Sequence, residues 1–255
     1  MSQEARITEI YTSVVSALKT IVVEHDVTEA DLKVVGHFLD KMGKADLFTN
    51  ILNVALSMTI VERRRAGANG TRPNLEGPYH VPGAPDKTAG TLYEKPLTPA
   101  ADLLEWSGRL IDADTGAPLA EGAVDIWQAN ERGEYDHHGF HLRGVVRPDA
   151  EGRFVVRTIV PLDYSEHGDD PIGEMFEAMG RGSRRAAHLH VKAHAPGHAP
   201  LTTQLFVPWS DFLASDYVEG AVTPDLVLEL KEGERRDGHR FFSTTYDIAL
   251  QRGAA

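Results

Sequence analysis

The 255 residues are 42% apolar and carry a formal charge of −12 from 26 basic and 38 acidic side chains, which allows a real core and argues against a nucleic-acid partner. No cysteine occurs, so disulfides, thiolate metal centres and thiol nucleophiles are excluded, leaving His, Asp, Glu and Tyr as metal ligands. The opening MSQEARITEI is amphipathic and mixes charges, without the basic start and apolar run of a signal peptide or membrane span; the expectation is a cytoplasmic protein with no membrane partner.

Ile7, Ile10, Tyr11, Val14, Leu18, Ile21 and Val22 recur at three and four and predict a first helix. A second starts at TEADLKVVGHFLDKMG, where Thr28 and Asp31 form an S/T-x-x-D start and Gly43 a stop. A third covers roughly Asp46 to Arg65. Residues 1–65 thus form a helical region, and residues 66–100, dense in Gly and Pro, an extended connector anchored by Leu75, Tyr79, Val81 and Leu92. From residue 101 the rhythm changes to short strands: WSGRLID and GAVDIWQA about the turn ADTGAP, then GRFVVRTI, AAHLHVKA, LTTQLFV, DLVLEL and RFFSTTYDI. The fold class is therefore mostly β, with an antiparallel β-sandwich over 101–255 behind the helical N-terminus.

RRAAHLHVKAHAPGH holds His188, His190, His194 and His198. Strand alternation puts His188, His190, Lys192 and His194 on one face. At roughly 3.3 Å per residue, His188 and His190 lie about 7 Å apart along the strand and can converge on one ion, whereas His194 is about 20 Å from His188. The plain alternative is a solvated polar face. An H-x-H pair alone is a weak signal and needs carboxylates, water or phenolates from elsewhere. Tyr135 in DIWQANERGEYD and Tyr164 in RTIVPLDY each follow a predicted strand, a place where a half-buried phenol is ordinary.

DIWQANERGEYD, RTIVPLDY, GDDPIGEMFEAMGR and RRAAHLHVKAHAPGHAPLTTQLF, in that order, resemble the motifs of the intradiol ring-cleavage dioxygenases, the catechol, chlorocatechol and hydroxyquinol 1,2-dioxygenase group. The likeness runs over roughly residues 45 to 230 and includes LEGPYHVPGAP. It implies one ferric ion per chain held by Tyr135, Tyr164, His188 and His190, a small aromatic diol and O2 as reactants, and a muconate-type product. It also implies that Arg185 and Gln204 line the pocket, Arg185 stabilising charge that develops on the ring. Tyr164 would be the ligand displaced by substrate and act as a base, while Tyr135 stays bound. The helices would pair two chains as a homodimer about an apolar channel that can take a lipid. One departure is RRAAH: the family carries a proline about where Ala186 or Ala187 stands here, a change expected to act on loop stiffness rather than ligation.

Two other readings use the same residues. One is a non-catalytic, transthyretin-like binding sandwich, which fold alone cannot separate from an enzyme. The other is a zinc hydrolase using His188, His190 and Asp169 or Asp170. On substrate the cues diverge: GEYD and PIGEMFEAMGR look closer to hydroxyquinol enzymes, and the short chain to chlorocatechol enzymes. Leu52, Asn53 and Leu56 on the third helix are candidates to face the ring.

Overall fold

In the computed structural model, residues 2–65 and 69–253 are described, so the first residues of the connector, 66–68, lie outside the described residues. Two compact units divide at 49/50, earlier than the end of the helical region at 65. The first contains α1 (Gln3–Glu24) and α2 (Glu29–Lys44). The predicted start of α2 is a full capping box: the Asp31 backbone N–H donates to Thr28 Oγ1, and the Thr28 N–H and hydroxyl both donate to Asp31, satisfying donors a helix start leaves open. α3 (Phe48–Arg65) begins just before the boundary. Val54 and Met58, four apart, are its buried stripe, as one helical face requires.

The second unit is built from β1 (Leu103–Asp112), β2 (Ala123–Gln128), β3 (Arg143–Val146), β4 (Arg153–Ile159), β5 (Tyr164–Ser165), α4 (Pro171–Ala178), β6 (Arg184–Arg185), β7 (His188–His194), β8 (Leu201–Phe206), β9 (Lys231–Arg236), β10 (His239–Thr245) and β11 (Ile248–Leu250). One sheet runs β3-β2-β7-β8, antiparallel throughout. In the other, β4 and β9 pair antiparallel with β1 and β10, but β10 and β11 both lie parallel to β1. The sandwich is thus mixed in one layer. Alternating Leu104, Trp106 and Leu110 from β1, and Leu189, Val191 and Ala193 from β7, are essentially inaccessible and supply the core.

Several elements depart from expectation: β3, β5 and β6 have no counterpart in the strands read from the sequence, and RFFSTTYDI divides between β10 and β11. DLVLEL is not a strand: Leu226 and Leu228 are buried, but the segment makes only an isolated bridge from Val227 to Phe206. The strand follows it, in KEGERR, exposed at every position. Apolar content therefore misleads here, because a sheet edge favours charge over hydrophobicity. PIGEMFEA, without a strand signal, is α4, capped by Asp170 with Pro171 in its first turn, as a fixed φ at that place favours. The connector ties itself to both layers through Asn74 N–H to Thr202 O and Leu92 N–H to Arg157 O.

Candidate functional site

β7 delivers His188 and His190, the turn after β2 delivers Tyr135, and β5 delivers Tyr164. The Tyr135 turn is fixed by Asn130, whose side-chain oxygen accepts from the N–H groups of Arg132 and Glu134. Gly133, at φ +78°, lets it lie against the other tyrosine's segment: a Cβ there would meet Asp163 O at 2.5 Å. The connector crosses the site at Gly77 (φ +71°), where a Cβ would come within 3.2 Å of His190 Cε1. Both positions require glycine for conformation and for close approach.

All four side chains come together. His188 Nε2 and His190 Nε2 are 3.0 Å apart, and His190 Nε2 is 3.0 Å from the Tyr135 hydroxyl. The Tyr164 ring centroid lies 5.3 Å from that of Tyr135 and 5.7 Å from that of His188. His188 is 1% and His190 0% exposed, which removes the solvated-face alternative for these two. Lys192 is partly exposed and His194 exposed; the polar face turns outward only beyond the site. His188 Nδ1 lies 2.6 Å from Ala186 O, so Nδ1 carries the hydrogen and the Nε2 lone pair points at the cluster. Trp127 stacks on His190 at 4.8 Å and 5° and fixes its plane.

Burial, aided by the Arg185 charge, drives both imidazoles well below the usual histidine range. Burial pushes the Tyr135 and Tyr164 phenols up and holds Tyr79, stacked on Tyr135, at about 12. Neutral imidazole lone pairs beside phenols, with His190 Nδ1 buried and unpartnered, form a donor set that lacks a positive charge. A cation there would reverse the sign of the phenol shift, and two oxygen and two imidazole donors suit a hard, highly charged ion. The residues fit ferric iron. Zinc held with Asp169 or Asp170 does not fit: Asp170 caps α4 and pairs with His167 at 2.6 Å, and Asp169 is exposed. Among the described residues no group of three His, Cys, Asp or Glu side chains could hold a metal.

Arg185 is 2% exposed, not a surface residue. Its Nε donates to both oxygens of buried Asp216, and its Nη2 donates to Gln204 Oε1 at 2.7 Å. Burial opposes its charge, but the Asp216 carboxylate, joined by Tyr164, Glu166 and Tyr217, outweighs this and holds the guanidinium pKa above its ordinary value. Gln204 differs from expectation: its amide accepts from Arg185 and donates to Leu75 O, which commits it to holding Arg185 rather than lining the pocket. The missing proline is also accounted for, since the Ala186 and Ala187 N–H groups donate to Asp216 Oδ2 and Ser210 Oγ. Proline at either position would lack that donor.

A cavity of about 380 Å³ opens beside the cluster, bounded by Gly77, Arg185, Glu166 and Tyr217 and by Asn50, Asn53, Val54 and Ser57 of α3. The α3 residues share one face by their spacing. Asn53 faces the cavity as expected; Leu52 and Leu56 do not, being exposed on another face. Sequence reasoning missed Asp216, Glu166 and Tyr217. Only Glu166, two residues after Tyr164, carried a signal of position.

The family model described as Dioxygenase matches residues 75–252. A chlorocatechol 1,2-dioxygenase of Pseudomonas sp. (strain P51) is 33% identical over 239 residues, 89% of this chain and 90% of the relative. A hydroxyquinol 1,2-dioxygenase of Rhizobium sp. (strain MTP-10005) is 31% identical over 273 aligned residues, 98% of this chain and 90% of the relative. The crystal structure of 3-chlorocatechol 1,2-dioxygenase from Rhodococcus opacus 1CP superposes with a TM-score of 0.87 at 30% identity, covering 98% of this chain and 99% of that one. With a family match over most of its length and relatives this close over nearly all of it, the chain belongs to the intradiol ring-cleaving dioxygenases and is an oxidoreductase.

Proposed function

We propose that this protein cleaves a catechol-type ring between its two hydroxylated carbons, with O2 and one ferric ion per chain held by Tyr135, Tyr164, His188 and His190. The observation that carries the reading is the convergence of two phenols and two neutral imidazoles, His188 and His190 facing each other at 3.0 Å. Ferric iron, when bound there, supplies Lewis acidity that gathers the two ring oxygens and makes the ring susceptible to O2. Catechol and O2 together contain every atom of the muconic acid product, so no further reductant is needed.

The chain's own residues then have separable tasks. Tyr164, beside the cavity, would be held as a phenolate by the metal and takes a substrate proton at that oxygen; Glu166 Oε1, 3.5 Å away, is the acceptor the resulting hydroxyl turns to. Tyr135 lies against His190 and stays with the metal. Arg185, held by Asp216 and Gln204, keeps its charge next to the ring and stabilises negative charge there. His188 and His190 are closed off from solvent, which strengthens each of these interactions.

Protein as purified should contain near one iron per chain, absorb in the visible through tyrosinate-to-iron charge transfer, and consume oxygen with catechol, a chlorocatechol or hydroxyquinol. A colourless, zinc-loaded protein that stays inactive after ferric or ferrous iron is supplied overturns the reading. A homodimer belongs to the same proposal. Ile7, Ile10, Val14 and Leu18 form a stripe along α1, each at least half exposed in the single chain, and a second copy covers it. Light scattering that finds a monomer at micromolar concentration overturns this part.

A further inference from the structure

Glu166 is a carboxylate on the wall of the cavity beside the tyrosine–histidine cluster. Its Oε1 accepts from the Tyr164 hydroxyl at 3.5 Å and its Oε2 accepts from the Tyr217 hydroxyl. Tyr217 is 2% exposed, with its ring edge-on to His167 and Phe176 at 5.6 and 5.9 Å, so the phenol that steadies Glu166 is itself fixed. Among the described residues Glu166 forms no ion pair. Asn50, Asn53 and Ser57 add polar groups to the same cavity.

A carboxylate placed there disfavours many rings. A chlorine, a methyl or a bare C–H set against it strips its water and returns no hydrogen bond, leaving the lone pairs that Tyr164 and Tyr217 do not fill without a donor. A substituent with an O–H or N–H restores the bond, and bonds to charged acceptors are stronger than neutral ones. We propose that Glu166, steadied by Tyr217, is a specificity-determining residue: it accepts a hydrogen bond from a donor substituent on the ring, away from the two oxygens that meet the metal. The chain is thereby directed toward catechols bearing a further hydroxyl or amino group and away from chlorinated or alkylated ones. This rests on the proposed function above and extends it to the substituent.

The test compares kcat/KM of the iron-loaded protein on catechol, 4-methylcatechol, 4-chlorocatechol, 1,2,4-benzenetriol and 4-aminocatechol, for wild type, Glu166→Leu and Glu166→Gln. Wild type should favour the triol, the aminocatechol or both over the methyl and chloro compounds, and whichever donor ring is favoured identifies the substituent. Glu166→Leu should shrink that preference on the order of 10- to 100-fold, the scale of one charge-assisted hydrogen bond, and Glu166→Gln should fall between. Anaerobic binding of the same compounds should move in the same order. A ratio that does not change, or an equal loss on all five rings, overturns the inference and leaves ring cleavage standing. Iron-loaded wild type inactive on every ring overturns the proposed function, and this inference with it.

Discussion

The segment from 188 to 198 ends in two histidine environments of opposite character. His188 and His190 face each other and two phenols, and burial, aided by the Arg185 guanidinium, keeps them neutral. Ten residues after His188, His198 lies against a carboxylate: its Nε2 is 3.1 Å from Asp112 Oδ2, its Nδ1 is 2.9 Å from Pro196 O, and Arg252 Nε donates to the same Asp112 oxygen at 3.0 Å. Both environments recruit partners distant in sequence. The first presents lone pairs of the kind a cation would need; the second has its charges already matched and holds the C-terminal segment to the end of β1 and the turn after β7. What makes His188 and His190 candidate ligands is the pair of Nε2 atoms turned toward each other and toward the phenols, not the local density of imidazole.

The sharpest way to break that distinction is to delete one ring from each. His190→Ala should abolish iron retention, the visible absorption and oxygen uptake together, while His198→Ala should keep near one iron per chain and lower only thermal stability. Comparable iron loss in both variants would refute the division. A smaller effect separates the phenols. Tyr135→Phe should weaken iron retention itself, whereas Tyr164→Phe should still bind catechol anaerobically but turn over about 10²- to 10⁴-fold more slowly, the range for losing a positioned base. Full iron and wild-type spectra in both variants would show that neither phenol is a ligand.

The fold and the site were legible to different depths. The first helix and the β7 alternation follow from apolar spacing, the second helix from its start and stop signals, and the strands from the turn residues that flank them. β9 and the parallel pairing of β1 with β10 and β11 do not, since edge position and strand direction leave no period. Tyr135, Tyr164, His188 and His190 became a set through the order of motifs resembling a family; their spacing gave only the H-x-H pair. Asp216, which fixes Arg185, could not be found, because an acid in SDY reads like any surface acid until a guanidinium 31 positions earlier folds onto it.

Arg185→Gln tests how that guanidinium serves two ends. Without its charge at the ring, kcat/KM should fall about 10²- to 10³-fold, as on removing one electrostatic donor. Asp216, 3% exposed at its side chain, loses its partner as well, and an uncompensated buried charge costs about 3–5 kcal/mol of stability. Denaturant unfolding of the variant should therefore show the loss even though iron content is kept. Arg185→Gln together with Asp216→Asn should regain part of the stability and none of the activity. Recovery of both would make Arg185 a structural residue only.

The smallest effect expected is at the other histidine environment, and its signature is in pH rather than activity. Asp112 is 2% exposed, and its Oδ1 accepts from the N–H of Thr115, the N–H of Asp114 and the Thr115 hydroxyl, while Oδ2 meets His198 and Arg252. Led by the Thr115 N–H and then His198, these bonds hold its carboxyl well below the usual range. A carboxyl whose folded pKa lies below its unfolded value of about 3.9 stabilises the fold fully above that value, and the contribution fades as pH falls toward the folded one. Asp112→Asn keeps an oxygen for the Thr115 turn but turns an amide NH2 toward His198 and Arg252. Its Tm should lie below that of wild type by a constant gap at neutral and mildly acidic pH, and the gap should narrow below about pH 4. Oxygen uptake at 25 °C should be unaltered throughout, because no atom of this network reaches Tyr135, Tyr164, His188 or His190. A gap that instead widened on acidification would mean that the carboxylate is not what His198 and Arg252 hold.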